Sequence, residues 1–261
     1  MRHGGRVLVE KFSVLATDVE VIVADSGRPR DWLPHRVEHV GTAVAERDAY
    51  VAEARARLRA DGLHDGTRYD DDVDAGFAVW TDPDAVVVVR GTQSMDPPQV
   101  LGRGALKPHL AVCSVQSAEM IDFELLPPAE LPAALASMVP EYPPIDAQPH
   151  SVQIAGPDRD DDDAETSVKQ SAGSRPGTEG LAPYSAWPVT VNGGFELYFK
   201  DRGRLTHAGT VQFFLGDGGG YIARERTTAA GTWLDFRPCV ARQYLAQWLR
   251  DEIADYGRYG A

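Results

Sequence analysis

The chain has 261 residues, 43% of them hydrophobic, and carries a net charge of −13. A length and composition of this kind suit one large globular domain or two half-domains with a substantial core. The negative charge opposes binding to nucleic acid and to anionic membranes, and no stretch of the sequence forms a compensating basic patch. We therefore expect neither a nucleic-acid partner nor membrane insertion.

The cysteines and the N-terminal residues indicate the cellular compartment of the protein. Cys113 and Cys239 lie in apolar surroundings and match no metal or disulfide pattern, which predicts two buried free thiols in a reducing compartment. The apolar run Val7–Val9 is too short for the core of a signal peptide, and no run reaches membrane-spanning length. These features predict a cytoplasmic protein.

The first third of the chain contains one clear helical pattern. Residues 43–61 are predicted to form an amphipathic helix that is capped by Thr42 and ended by Gly62. Residues 12–24 fit a helix and a strand equally well, because their apolar positions match both periods. The apolar stripe of the predicted helix consists of Val44, Val51, Ala54 and Leu58.

The next segment is predicted to contain a hairpin and a long loop. Asp70–Asp74 is interpreted as a solvated turn, since its acidic spacing does not match a calcium loop. Phe77–Trp80 and Ala85–Arg90 are predicted to be two strands joined by a turn, and the uninterrupted valines of the second indicate burial on both faces. Gly91–Lys107 is predicted to be a long loop, of a length that is usually functional or mobile.

An acidic stretch divides the chain. Residues 146–183 contain the run Asp158–Glu165 and few side chains that could be buried, so we predict a disordered linker. The N-terminal half then spans residues 1–145 and the C-terminal half residues 184–261. The predicted fold class is α+β, with a central antiparallel sheet flanked by helices.

The C-terminal half is rich in strand patterns. Alternation within residues 195–199 and 210–215 places Tyr198, Gln212 and Phe214 on the face opposite to the larger apolar set. A sheet with aromatic side chains on both faces carries either helices on both sides or one face reserved for a partner. The glycine-rich stretch at 216–220 precedes a strand and lacks the Walker lysine, which favours a hairpin turn over a phosphate loop.

A strand, a turn, a second strand and a helix occur twice, over residues 111–138 and 221–253. The triplet Ile121-Asp122-Phe123 of the first copy matches Leu234-Asp235-Phe236 of the second. We interpret the repeat as a duplication that predicts a quasi-twofold architecture; the alternative is chance similarity of a short triplet. Each aspartate precedes a helix, so Asp122 and Asp235 are predicted to be caps rather than catalytic groups.

No catalytic or metal-binding motif stands out in the sequence. There is no dinucleotide fingerprint, no nucleophile elbow and no HExxH pattern, and the seven histidines are scattered. The sequence therefore predicts no catalytic residues, no cofactor and no metal, and favours a binding protein. The alternatives are an enzyme that uses Asp122 or Asp235 in a cleft between the halves, and a structural subunit of a larger assembly.

Four segments, taken in order, are together typical of a known family. They are the Leu33-Pro34 segment with the helix that ends at Gly62-Leu63, the strand Val86–Arg90, the helix with its proline-rich tail at Leu131–Pro140, and the strands and last helix that begin at Gly220–Arg226. In this order they resemble the EspG family, the cytoplasmic chaperones associated with actinobacterial type VII (ESX) secretion systems. The N-terminal segment matches the family pattern poorly, and the acidic linker is unusually long.

The resemblance implies a quasi-twofold fold with a central antiparallel sheet and helices beside it. It also implies a partner: members of the family bind the helical tip of the PPE protein in a PE–PPE heterodimer, keep it soluble and direct it to its secretion system. The family has no binding motif to carry over, so candidate partner-binding residues are inferred from the outward sheet face and the long loop. These residues are Gln93, Met95, Val100, Tyr198, Gln212 and Phe214. The expected oligomeric state is a monomer or a dimer.

Overall fold

A computed structural model describes residues 11–41, 43–93, 99–155 and 179–259. The strands of the N-terminal half are β1 (Lys11–Leu15), β2 (Ala85–Gln93), β3 (Gln99–Lys107), β4 (Leu110–Ser117) and β5 (Met120–Leu126). Those of the C-terminal half are β6 (His150–Ala155), β7 (Val189–Asp201), β8 (Arg204–Gly216), β9 (Gly219–Thr228) and β10 (Gly231–Pro238). The helices are α1 (Ala16–Asp25), α2 (Val44–Ala60), α3 (Asp71–Thr81), α4 (Leu131–Ala136), α5 (Ala182–Ser185) and α6 (Ala241–Tyr259).

All ten strands belong to one sheet, in the order β1-β5-β4-β3-β2-β7-β8-β9-β10-β6, and every pairing is antiparallel. Each half contributes five neighbouring strands, and in each half the first strand pairs with the last. The α+β class with a central antiparallel sheet is therefore confirmed.

One row of paired residues shows the symmetry of the sheet. The row passes through Ser13, Asp122, Val115, Gly102, Val89, Phe195, Val211, Arg224, Asp235 and Ser151, one residue from each strand. A twofold axis at the central Val89–Phe195 pair exchanges each strand of one half with its counterpart in the other. The predicted quasi-twofold architecture is confirmed in both element order and register.

The two halves share one apolar layer on the face covered by α4 and α6. Val87 and Leu135 of the N-terminal half belong to the same buried cluster as Phe195 and Leu245 of the C-terminal half. The prediction that strand 85–90 is covered on both faces is correct for Ala85–Val89, which are all buried.

The opposite face of the N-terminal half is covered by α1 and α3. Phe12 stacks on Phe123 with ring centroids 5.0 Å apart, and Phe77 and Trp80 of α3 lie 5.1 Å and 5.4 Å from the same ring. Residues 12–24, which fit two periods, divide between β1 and α1. The segment is therefore a strand followed by a helix.

Helix α2 is held largely by ion pairs. Buried Asp18 of α1 accepts hydrogen bonds from Tyr50 and Arg57 at 2.7 Å. Val44, predicted to belong to the apolar stripe, is 79% exposed, because the buried residues of the helix all lie in its C-terminal turns. Thr42 lies outside the described residues.

The prediction of a strand at Phe77–Trp80 and of a turn at Asp70–Asp74 is wrong, since these residues form α3. The side chain of Asp70 accepts from the backbone N–H of Asp72 at 2.8 Å and caps the helix. Val73, Phe77 and Trp80 then fall on one buried stripe at helical spacing.

The predicted loop Gly91–Lys107 is largely strand, as the end of β2 and the whole of β3. Close packing explains the glycines in this segment. A Cβ built on Gly102 would lie 2.5 Å from the sulfur of Met138, and one on Gly104 would lie 2.6 Å from Leu135. The glycines therefore let α4 approach the sheet rather than loosen the chain.

Asp122 and Asp235 are not helix caps, because both lie within strands. Asp122 accepts a hydrogen bond from Ser13 at 2.5 Å, and Asp235 accepts one from Ser151 at 2.6 Å. The two serine–aspartate pairs are equivalent under the twofold axis, and each ties an edge strand to its neighbour.

Part of the predicted linker is ordered into the sheet as β6, and Glu179–Leu181 and α5 form short helical turns. Residues 156–178 lie outside the described residues, and the division into domains stays a prediction. Both cysteines are free; Cys113 is buried as predicted, whereas Cys239 is only half-buried.

Candidate partner-binding surface

The two faces of β7 and β8 differ in what covers them. Phe195 and Phe213 point towards α4 and α6 and are buried. Tyr198 and Phe214 point to the other side and are half-buried, and Gln212 beside them is exposed. We call this outward side of β2, β7 and β8 the open face.

A groove of about 640 Å³ runs along the open face. Gly194, Thr210 and Gln212 lie along its floor, and Pro34 and Arg36 form part of one wall. The missing side chain at Gly194 deepens the groove, since a Cβ there would project into it without touching backbone closer than 3.7 Å. The strands therefore form the floor of the groove, and residues outside the sheet form part of one wall.

Polar side chains on neighbouring strands hold one another on this face. Arg90 of β2 donates to Glu196 of β7 at 2.9 Å, and the Tyr198 hydroxyl donates to the same carboxylate at 2.6 Å. The hydrogen bond to Glu196 raises the pKa of Tyr198 to about 12, with burial adding to the effect. The tyrosine is therefore a neutral group with a fixed orientation at physiological pH.

Aromatic side chains continue the surface towards β9 and β10. Phe214 stacks on Tyr221 with ring centroids 5.0 Å apart and planes 16° from parallel. Tyr184 of α5 meets Tyr221 edge-on at 5.0 Å and Phe236 at 5.3 Å. The arrangement offers ring surface to a partner at low cost in side-chain entropy, because the rings already support one another.

One wall of the groove belongs to residues 31–36, which we call the strap. Arg103, 1% exposed, donates to the carbonyl of Leu33 at 2.7 Å, and His35 Nε2 lies 2.8 Å from the Ser114 hydroxyl. Gln116 exchanges hydrogen bonds with the backbone of Arg36 at 2.6 Å and 3.0 Å. The strap thereby presents Leu33, 59% exposed, beside the open face.

The structure places three of the six predicted binding residues on the open face, namely Tyr198, Gln212 and Phe214. Gln212 and Phe214 line the groove, whereas Tyr198 lies farther along β7. Val100 lies on the other face of the sheet, where it approaches the position of Gly91 next to Phe213. The remaining two are Gln93, at the end of β2 with a side chain outside the described part, and Met95, which lies outside the described residues.

Sequence reasoning missed the contribution of the strap. The sequence predicts only an extended segment at Trp32–Pro34. The contacts that Arg103, Ser114 and Gln116 make with the strap show that it borders the groove. No local signal in the sequence links those three strand residues to the strap.

Comparison with known proteins identifies the family. The sequence profile of the EspG family matches residues 16–251. The chain belongs to the EspG family. A search of curated proteins finds no match.

Among solved structures, this EspG-family chain resembles the Mycobacterium tuberculosis type VII secretion system chaperone EspG5, solved in complex with the PE25–PPE41 dimer. The TM-score is 0.63 at 13% sequence identity, and the match covers 90% of this chain and 93% of that chain. The likeness at this identity concerns the fold, and it extends over both halves of the sheet.

Among the described residues of this EspG-family chain, no helix is both long and apolar enough to cross a membrane. These residues also contain no group of three or more His, Cys, Asp or Glu side chains that could hold a metal ion.

Proposed function

We propose that this protein is a cytoplasmic secretion chaperone that binds a PE–PPE heterodimer at the tip of its PPE subunit. In this role it keeps the heterodimer soluble and directs it to an ESX type VII secretion system. The observation that carries the proposal is the family match over residues 16–251. The fold it shares with EspG5, which was solved with PE25–PPE41, supports it.

The open face has the properties that such a client requires. Leu33 is exposed and Phe214 half-buried, so each can anchor an apolar side chain of a helical tip. Complete burial of one such side chain contributes about 1.5–3 kcal/mol. A few anchors with fixed hydrogen-bonding groups such as Tyr198 beside them are sufficient for a specific and reversible complex.

The geometry argues against the paired-aspartate enzyme. Asp122 and Asp235 lie on β5 and β10, which are seven strand spacings apart in the sheet. At about 4.8 Å per spacing the two carboxylates are separated by about 34 Å, too far to act on one substrate. Each is also engaged by a serine of the adjacent edge strand. We therefore propose a binding role rather than a catalytic one.

Co-expression with a PE–PPE pair encoded near this gene, followed by gel filtration, tests the function. We expect the three chains to elute together from the wild-type preparation. Leu33→Ser or Phe214→Ala should weaken binding about tenfold or more, because each removes an apolar anchor. Affinity is measured by calorimetric titration of the purified heterodimer.

Val44→Ser is the matched control, because Val44 is an exposed apolar residue on α2, away from the groove. It should leave the affinity unchanged. Thermal melts of each variant separate lost binding from lost folding. If no encoded PE–PPE pair co-elutes with the wild-type protein, the chaperone function is refuted.

A further inference from the structure

The twofold axis allows each half of the sheet to be compared with the other, residue by residue. On the face opposite α4 and α6, the register places Phe236 in the position of Phe123 and Leu234 in that of Ile121. By the same register Gln212 takes the position of Arg103. The two halves therefore present equivalent surfaces on this side of the sheet.

In the N-terminal half this surface is fully covered. Ile121 and Phe123 are 0% and 1% exposed beneath α1 and α3. The strap crosses the adjoining strands and is held by Arg103 and Gln116. Helices and strap all come from the connection between the first and second strands of that half.

In the C-terminal half the equivalent residues are only partly covered. Leu234 and Phe236 are both half-buried. Tyr184 of the one-turn helix α5 occupies the place of Phe77, since it lies 5.3 Å from Phe236 as Phe77 lies 5.1 Å from Phe123. Leu234 stays half-buried, whereas its counterpart Ile121 is 0% exposed.

The remainder of that connection does not have the composition of a cover. Residues 156–178 contain one valine, no other aliphatic residue larger than alanine and no aromatic residue. They have no side chains equal to Val73, Phe77 and Trp80, which α3 uses on the N-terminal half. This composition favours a cover that another molecule supplies.

We propose that the client supplies it: an amphipathic helix of the client tip packs on Leu234 and Phe236 of β10, as Phe77 and Trp80 of α3 pack on Phe123 of β5. This inference rests on the proposed function and locates its client contact. A helix is the fitting occupant, because helices with apolar residues at i, i+4 and i+7 occupy the equivalent surface in the other half.

Two polar residues on β8 and β9 indicate where the client helix ends. Gln212 and Glu225 stand where Arg103 and Gln116 hold the backbone of the strap. Both are exposed, and neither makes a hydrogen bond or ion pair with the described residues. Because Glu225 can only accept, the client should present donors there, such as the free N–H groups of a helix N-terminus or a basic side chain.

The test measures the dissociation constant of the full chain for a purified PE–PPE heterodimer. Leu234→Ala and Glu225→Arg should each raise it about tenfold or more. Arg237→Ser is the matched control, because Arg237 is exposed on the same strand as Leu234 and points to the opposite face. It should change the constant less than about twofold.

A photo-crosslinking residue at exposed Gln212 provides a second readout that does not depend on burial. It should capture the PPE subunit of the client. If the wild-type protein binds the heterodimer but both variants bind it equally well, or if Gln212 captures only a second copy of this chain, the inference is wrong while the proposed function stands. If the wild-type protein binds no client, both are overturned.

Discussion

Arg103→Ala should lower the free energy of unfolding by about 3–5 kcal/mol, as expected for the loss of a buried, hydrogen-bonded charge. Arg103 is 1% exposed and donates to the carbonyls of Leu33 and Trp80 at 2.7 Å and 3.1 Å. Its guanidinium lies 5.4 Å from the centre of the Trp80 ring and 3.4 Å from Asp31. Removing it leaves two carbonyls without this donor and a cavity beneath the strap.

Arg90→Ala is the matched control, since Arg90 is also an arginine on that side of the sheet, one strand away. Its side chain is 48% exposed and pairs with Glu196. Exposed pairs of this kind contribute about 0–1 kcal/mol. Urea denaturation of both variants measures the difference, and equal losses would show that the buried arginine does not hold the strap.

The second large effect is a loss of stability in mild acid. His35 is 3% exposed, and burial, together with the nearby charge of Arg103, lowers its pKa to about 3 from an ordinary value of 6.5. Between these values the unfolded chain takes up a proton that the folded chain excludes. Stability is therefore complete above pH 6.5 and falls as the pH decreases, by up to about 1.4 kcal/mol per pH unit and about 5 kcal/mol in total.

Between pH 6.5 and pH 5, the titration of His35 can be separated from that of the carboxylates. Burial opposes the ionisation of Glu20, but hydrogen bonds from His39 and Arg47 outweigh it and lower its pKa, so its contribution is lost only at more acidic pH. His35→Gln keeps a polar group near Ser114 and removes the titration. Its stability should be nearly flat over this interval in urea melts, and a slope equal to that of the wild type would assign the effect to another group.

The elements that the sequence predicts well are those whose pattern is local. The helix α2 and the alternating strands β7 and β8 follow from periodicity alone. Helix α3 also has a local signal, the Asp70 cap and the spacing of Val73, Phe77 and Trp80, which the short apolar run at 77–80 obscures. Strand β3 has no such signal. Its Gly102 and Gly104 favour a loop in the sequence, whereas in the structure they are required by the close approach of α4.

Likewise, only part of the candidate surface could be predicted from local sequence patterns. Alternation of polar and apolar residues is sufficient to place Tyr198, Gln212 and Phe214 on one face. The face of Val100 does not follow from the sequence, since the glycines and prolines of its segment favour a loop. The strap depends on a buried arginine that bonds to a backbone carbonyl more than sixty residues away, and side-chain partners at that separation are not encoded in any local pattern.

The position of the central strand pair also affects the chain while it is being made. Val86–Val89 pair with β3 on one side, which is synthesised soon afterwards, but with β7 on the other. Until β7 has left the ribosome, one edge of an uncharged valine strand has no partner, and such edges readily recruit other chains. The acidic run Asp158–Glu165 precedes β7 in the sequence. The nascent chain thus gains its largest cluster of negative charge, which opposes association, before the vulnerable edge is closed.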